Sequence, residues 1–114
     1  MFKFIRKLLS GAAGPESVSP AEAQALIRQG AVLLDVRSAG ERRAAHIPGS
    51  LHIPLDQLPG RLSNLPAGKT VVCQCASGNR SAQAARLLAD AGIDSRNLRG
   101  GIGAWRAAGL PVRT

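Results

Sequence analysis

Short apolar runs alternate along the chain with stretches of helical periodicity. Residues 31–36 and 70–74 are the most continuous runs and are rich in Val and Leu. An apolar run without alternation is typical of a strand buried on both faces. Weaker strand signals cover residues 17–18, 50–54 and 93–98. Their order predicts an α/β fold with a mostly parallel five-stranded sheet and helices on both faces.

Helix signals stand between these runs. Ser19-Pro20-Ala21-Glu22 combines an N-cap serine, a proline at the first helical position and a capping-box glutamate, and residues 38–41 repeat the Ser-x-x-Glu spacing. Leucine spacing predicts a helix over residues 55–65, which Pro59-Gly60 must break or kink. Further helices are expected over residues 81–91 and 102–108.

The most informative stretch is the loop that follows the run at 70–74. Cys75 ends that strand, and the small or turn-tolerant residues 76–79 allow the backbone N–H groups to wrap round its sulfur. A helix N-terminus beside a thiol favours the thiolate, which is the nucleophilic form. Arg80 supplies a permanently charged fork for an incoming anion. Ser81 is in place to cap the following helix.

Several motifs together resemble single-domain rhodaneses, a family of sulfurtransferases, over roughly residues 16–113. They are Asp35-Val36-Arg37 followed by Glu41, His46-Ile47-Pro48-Gly49, Cys75-Ala-Ser-Gly-Asn-Arg80-Ser81, and Gly100-Gly101-Ile-Gly-Ala-Trp105. The resemblance implies the three-layer rhodanese fold. It also implies that a donor such as thiosulfate gives a sulfane sulfur to Cys75, and that cyanide or a thiol removes it from the resulting persulfide.

The resemblance also assigns expected roles. Donor and persulfide would be bound by the loop residues Ala76, Ser77, Gly78, Asn79, Arg80 and Ser81. Supporting roles, in ion pairs and turns, would fall to Asp35, Arg37, Glu41 and His46. Apart from the resemblance, Trp105 is the single tryptophan of an aromatic-poor chain and is expected to cover the core. The family often has glycine at the position of Ala45. No cofactor or metal is expected.

The length of the loop separates two chemistries. Cys75 to Arg80 is Cys-x4-Arg, whereas cysteine phosphatases of similar fold use a loop that is one residue longer. The shorter loop suits a sulfane sulfur better than a tetrahedral phosphate ester. Sulfur transfer is therefore favoured over phosphate hydrolysis. A sulfur-carrier or protein-binding module with little turnover remains the alternative.

Cys73, the only other cysteine, is not part of the family pattern. Its position in the predicted strand favours a small buried hydrophobe, and the alternative is a resolving thiol that accepts sulfur or protects Cys75. A disulfide between residues so close together in a strand would be strained, and two cysteines without nearby histidines make no zinc site. A reducing cytoplasm fits this cysteine usage.

Composition limits the partners. The chain has 114 residues, 15 basic against 7 acidic side chains, and only 3% aromatic residues. The charge suits a small anionic donor or a protein persulfide partner, whereas scattered basic residues and few aromatic ones argue against nucleic acid. Residues 1–15 are predicted to be a basic amphipathic arm and linker before a domain at 16–114. Residues 1–10 could contact the inner membrane surface peripherally or form a terminal arm. A monomer is the default expectation.

Overall fold

The computed structural model describes residues 14–114. The predicted arm and its membrane-surface contact through residues 1–10 lie outside the described residues, and the domain boundary at 16 stays a prediction. Within the described part of the chain, no helix is long and apolar enough to cross a membrane.

The five predicted strands form one sheet. They are β1 (Ser17–Val18), β2 (Val32–Asp35), β3 (Leu51–His52), β4 (Val71–Gln74) and β5 (Ser95–Leu98). Their order across the sheet is β1-β5-β4-β2-β3, and each of these neighbouring pairs is parallel. Asp35 is in register with Gln74, so the carboxyl ends of β2 and β4 lie side by side. Ligand sites of open α/β sheets occur at this edge.

Four α-helices accompany the sheet: α1 (Pro20–Arg28), α2 (Ala39–Ala44), α3 (Asn79–Asp90) and α4 (Gly101–Ala107). Both predicted capping boxes are present. The Ser19 hydroxyl accepts from the Glu22 N–H while the Glu22 carboxylate accepts from the Ser19 N–H, and Ser38 and Glu41 repeat the arrangement. Each box satisfies N–H groups that a helix start leaves without partners.

Residues 55–65 do not form the expected α-helix. They form two 3-10 segments, Leu55–Gly60 and Leu62–Asn64, with Pro59 inside the first. Proline lacks an N–H and its ring clashes with the preceding turn, so α-helical bonding cannot continue through this position. Leu58 is nevertheless fully buried, and the apolar spacing thus identified the core contact correctly.

The two faces of the sheet carry separate cores. On one face, Leu34 and Cys73 pack with Leu88 of α3 and with the 3-10 segments. On the other face, Val72 packs with α1 and with Trp105 of α4, which is buried as expected. Because both faces are covered, the predicted three-layer α/β fold is confirmed.

Candidate active site

Cys75 is the first residue after β4, and its sulfur lies beside the first turn of α3. The Gly78 N–H donates to Cys75 Sγ at 3.0 Å, and the Ser81 hydroxyl lies 3.3 Å from the same atom. The residue is only 1% exposed. Gly78 is the N-cap of α3 and has φ +109°, a left-handed conformation that glycine adopts without strain. This turn directs its N–H towards the sulfur.

The ionisation of Cys75 is a balance of opposing effects. Burial raises the pKa of the thiol, but hydrogen bonds from the Ser81 hydroxyl and from the backbone N–H groups of Ser81, Gly78 and Ser77 outweigh it. The pKa of Cys75 is therefore lowered from its ordinary value. Hydrogen bonds that favour the charged form act in this direction. The loop can stabilise a thiolate, as its small residues predict.

Ser81 does not cap α3. The helix begins two residues earlier, at Asn79, and Gly78 occupies the N-cap position. The Ser81 side chain points instead to the sulfur and to Asn97 Oδ1, which lies 2.6 Å from the hydroxyl oxygen. The capping prediction was wrong because it placed the start of the helix too late. Ser81 nevertheless belongs to the site.

A second segment, residues 97–103, clamps the loop from outside. The Ile102 N–H donates to the Cys75 carbonyl at 2.8 Å, and the Asn97 amide donates to the Gly78 carbonyl at 3.3 Å. Gly101 passes so close that a Cβ there would lie 2.3 Å from the Cys75 carbonyl oxygen. Gly100 and Gly101 both have a positive φ, of +78° and +61°, so this turn needs glycine for its backbone as well as for its close approach to the loop.

Arg80 reaches across to α2. Its Nη1 and Nη2 atoms lie 2.7 and 2.8 Å from the two carboxylate oxygens of Glu41. The hydrogen bonds from Arg80, followed by those from Ser38, lower the pKa of Glu41 to about 2 despite a smaller opposing effect of burial. Glu41 is thus both the expected capping-box residue and the partner of the loop arginine. The role of Arg80 in binding an anion stays a prediction.

Asp35 lies at the centre of a buried ion cluster at the end of β2. Arg37 binds it with Nε to Oδ1 and Nη2 to Oδ2, both at 3.0 Å, which is the expected pair. Arg42 adds a contact of 3.3 Å to Oδ2 and also binds Ser50. The carboxylate is fully buried and its oxygens are all engaged, so the cluster braces this edge of the sheet.

The two histidines lie outside the sulfur's contacts. His46 pairs through its backbone with Arg113, at 2.9 and 2.8 Å, and this bridge ties down the C-terminal segment. His52 is half-buried, and its Nε2 lies 2.7 Å from the Arg37 carbonyl oxygen. Among residues 14–114, no group of three His, Cys, Asp or Glu side chains could hold a metal ion.

Cys73 differs sharply from Cys75. It is fully buried within β4, and burial, followed by the nearby Cys75, raises the pKa of its thiol to about 12. Both cysteines are free thiols. A neutral thiol without solvent access favours the packing role over that of a resolving nucleophile.

Sequence reasoning missed three polar residues at the carboxyl edge of the sheet: Arg42, Gln74 and Asn97. Gln74 is fully buried and donates from Nε2 to the Cys75 carbonyl at 2.8 Å, while its Oε1 has no hydrogen-bond partner. Gln74 and Asn97 are amides inside predicted strands, and the strand of Gln74 was predicted to be buried on both faces, so that mismatch was the available signal. Arg42 gave no signal because its partner lies on another element.

Comparisons with known proteins agree with this geometry. The profile of the family described as Rhodanese-like domain matches residues 19–108. A sulfurtransferase of Allochromatium vinosum is 42% identical over 82 residues, which cover 71% of this chain and 77% of that protein. The thiosulfate sulfurtransferase GlpE of Pseudomonas savastanoi pv. phaseolicola is 38% identical over 91 residues, 79% of this chain and 86% of that protein. The crystal structure of a rhodanese-related protein from Thermoplasma volcanium has a TM-score of 0.80 at 33% identity and covers 86% of this chain and 97% of that chain.

Proposed function

The chain belongs to the family of rhodanese-like domains, and from that premise we propose that it is a sulfurtransferase that carries sulfane sulfur on Cys75. The observation that carries the proposal is the setting of Cys75 Sγ, which lies in a turn of inward-directed donors at the start of α3. The names of the similar proteins, sulfurtransferase and thiosulfate sulfurtransferase, support the same reaction class.

The proposed reaction has two half-reactions. The Cys75 thiolate attacks the outer sulfur of thiosulfate, the S–S bond breaks, and sulfite leaves with the bonding electron pair. The persulfide on Cys75 is then attacked at its outer sulfur by cyanide or a thiolate, which leaves as thiocyanate or as a new persulfide and restores the Cys75 thiolate. This is covalent catalysis by one nucleophile.

The loop residues take different parts in this scheme. The N–H groups of Ser77, Gly78 and Ser81 and the Ser81 hydroxyl stabilise negative charge on the sulfur, since all four favour its charged form. Glu41 is the main cause that raises the pKa of the Arg80 guanidinium, and Cys75 raises it further. The positive charge of Arg80 is therefore close enough to the sulfur to interact with it.

The near-complete burial of Cys75 favours one alternative, a sulfur carrier with little turnover of its own. A sulfur atom that is almost inaccessible exchanges slowly with dissolved acceptors, whereas a docked protein partner could receive it directly. Both functions pass through the same persulfide. They differ in the rate of the second half-reaction.

Mass spectrometry of the intact protein tests the proposal. Treatment with thiosulfate is expected to add about one sulfur mass to the wild type and none to Cys75→Ser, because one nucleophile carries one sulfur. Addition of cyanide then removes the adduct. Lack of an adduct with thiosulfate and with other sulfane donors contradicts the proposal, while a stable adduct with slow cyanide turnover favours the carrier.

A further inference from the structure

The Ser81 hydroxyl has two acceptors in reach and one proton to donate. Cys75 Sγ lies 3.3 Å from the hydroxyl oxygen, and Asn97 Oδ1 lies 2.6 Å from it on the other side. A serine hydroxyl is a single donor. It can therefore satisfy the sulfur or the amide oxygen at one time, but not both.

The orientation of the Asn97 amide is determined by a third contact. Its Nδ2 lies 3.3 Å from the Gly78 carbonyl oxygen, which can only accept a hydrogen bond. Rotation of the amide by 180° would set Oδ1 against that carbonyl. Oδ1 must consequently face Ser81 as an acceptor. Asn97 is itself buried, so no bulk solvent replaces the contact.

These constraints give the site two hydrogen-bond arrangements. When Cys75 is a thiol, its S–H can donate to Ser81 Oγ while the Ser81 hydroxyl donates to Asn97 Oδ1, and all three groups are satisfied. When Cys75 is a thiolate, it can only accept. The hydroxyl must then turn to the sulfur and leave the buried Asn97 oxygen without its donor, which costs free energy.

We infer that Asn97 is a positioning residue for Cys75 that acts through Ser81, because it competes with the sulfur for the hydroxyl proton. Ser81 stabilises the thiolate, and Asn97 restrains that effect by holding the hydroxyl in its other position. The inference rests on the proposed function, since it assigns the control of the same nucleophile.

Other charged groups do not belong to this chain of contacts. Among residues 14–114, the titratable and charged groups found to interact with the sulfur are Cys73 of β4 and Arg80 of α3, and Arg80 in turn interacts with Glu41 and Asp35. Replacement of Asn97 alters none of them. A shift in the ionisation of Cys75 can thus be assigned to the hydroxyl.

Titration of the thiolate by its ultraviolet absorbance tests the inference directly. The chain contains no tyrosine, so no phenolate absorbs in the same pH range, and Cys75→Ser supplies the blank. Ser81→Ala is expected to raise the pKa of Cys75 by about one unit, and Asn97→Leu to lower it by about half a unit, on the scale of a hydrogen bond to a charged group.

A double variant separates positioning from loosening of the loop. In the Ser81→Ala background, Asn97→Leu is expected to leave the pKa of Cys75 unchanged, because the competing hydroxyl is gone. Equal shifts in both backgrounds would show that Asn97 acts by holding the loop and would overturn the inference. An unchanged or raised pKa in Asn97→Leu alone overturns it as well.

Two further variants guard against misfolding. Asn97→Asp keeps an acceptor at this position and adds negative charge, so it is expected to raise the pKa of Cys75, opposite to Asn97→Leu; a shift of both variants in one direction contradicts the inference. Ser95→Ala removes a 2.7 Å bond from β5 to the Ala85 carbonyl of α3 and is the matched control, with no expected change. Because titration needs no sulfur donor, it can fail or succeed independently of persulfide formation.

Discussion

Cys73 and Cys75 belong to the same core and are 0% and 1% exposed. The pKa values of their thiols nevertheless shift in opposite directions: that of Cys73 is raised to about 12, and that of Cys75 is lowered. Both lose solvation. The difference is that Cys73 lies within β4, whereas Cys75 lies where the strand has ended and N–H groups of the next helix become available. Burial alone therefore does not make a thiol inert.

The largest expected contrast is in turnover. Cys75→Ser should lower sulfur transfer from thiosulfate to cyanide by at least about a thousandfold, since it removes the nucleophile that we propose. Cys73→Ala should stay within about twofold of the wild type, because the thiol of Cys73 only fills space. Steady-state thiocyanate production measures both. A comparable loss in Cys73→Ala would restore the resolving-thiol alternative.

The loop that carries the donors to Cys75 is held by the clamp at 97–103. Displacing the clamp should therefore remove the difference in reactivity between Cys75 and Cys73. Gly101→Ala places a Cβ against the Cys75 and Ala76 carbonyl oxygens at 2.3 and 2.5 Å. We expect a destabilisation of about 3 kcal/mol and a displaced loop with little activity. Chemical denaturation and the transfer assay measure the two effects.

Gly30→Ala is the matched control for that variant. Gly30 also has a positive φ, of +105°, but no atom lies within 4 Å of a Cβ built there. Only the backbone strain remains, so we expect a cost of about 1 kcal/mol with unchanged kcat per folded molecule. Similar losses in both glycine variants would mean that close approach to the loop is unimportant.

The raised pKa of Cys73 should make the free energy of unfolding depend on pH in the alkaline range. Its pKa is about 12 in the folded protein against an ordinary 9.0, so between these values the unfolded chain loses the thiol proton and the folded one keeps it. The unfolded state then binds fewer protons, and the free energy of unfolding falls as pH rises, by up to about 1.4 kcal/mol per pH unit. Above the ordinary pKa of a cysteine, Cys75 does not change the free energy of unfolding with pH, because its pKa is lowered and its thiol is ionised in both the folded and the unfolded states.

Comparison of the wild type with Cys73→Ala from pH 8 to about 11 isolates this effect. As pH rises, the free energy of unfolding of the wild type should fall steadily relative to that of the variant. A difference that stays constant with pH would indicate that the thiol of Cys73 ionises normally in the folded protein.

The smallest expected effect is the contribution of the ion pair between Glu41 and Arg80 to the free energy of unfolding. The pKa of Glu41 is about 2 against an ordinary 4.5, so its pair with Arg80 contributes stability above pH 4.5 that is lost as pH falls towards 2. Both side chains are more than a third exposed, at 38% and 34%, and screening limits the contribution to about 1 kcal/mol.

Urea denaturation of the wild type and Glu41→Gln measures this contribution. The variant should be less stable by about that amount at pH 7 and should equal the wild type near pH 2. A deficit that is the same at both pH values would assign the effect to the capping box rather than to the ion pair with Arg80.

Much of this arrangement could be predicted from local sequence. The two capping boxes, the buried strands and the Cys-x4-Arg loop depend on residues that are near one another in the chain, and the fold and the family followed from them. The Asp35–Arg37 pair was predictable for the same reason. Polar residues at the ends of buried strands have few neighbours from which to choose.

The rest depends on contacts between distant segments. The expected open fork of Arg80 is paired with Glu41, and the role of Ser81 depends on Asn97 of β5. The hydrophobic periodicity of a sequence does not predict which side chains from distant segments come into contact at the edge of a sheet. Buried amides such as Gln74 and Asn97 were the one hint, because an amide inside an apolar strand needs a partner.

The clamp at 97–103 also has a consequence for the order of folding. During synthesis Cys75, Gly78 and Ser81 emerge before Asn97, Gly101 and Ile102, so the loop cannot reach its final shape until β5 and α4 have been made and docked. The contacts that hold the loop from outside thus come from the last strand and helix of the sheet domain to be translated, and a chain truncated before residue 97 would carry the Cys-x4-Arg motif without them.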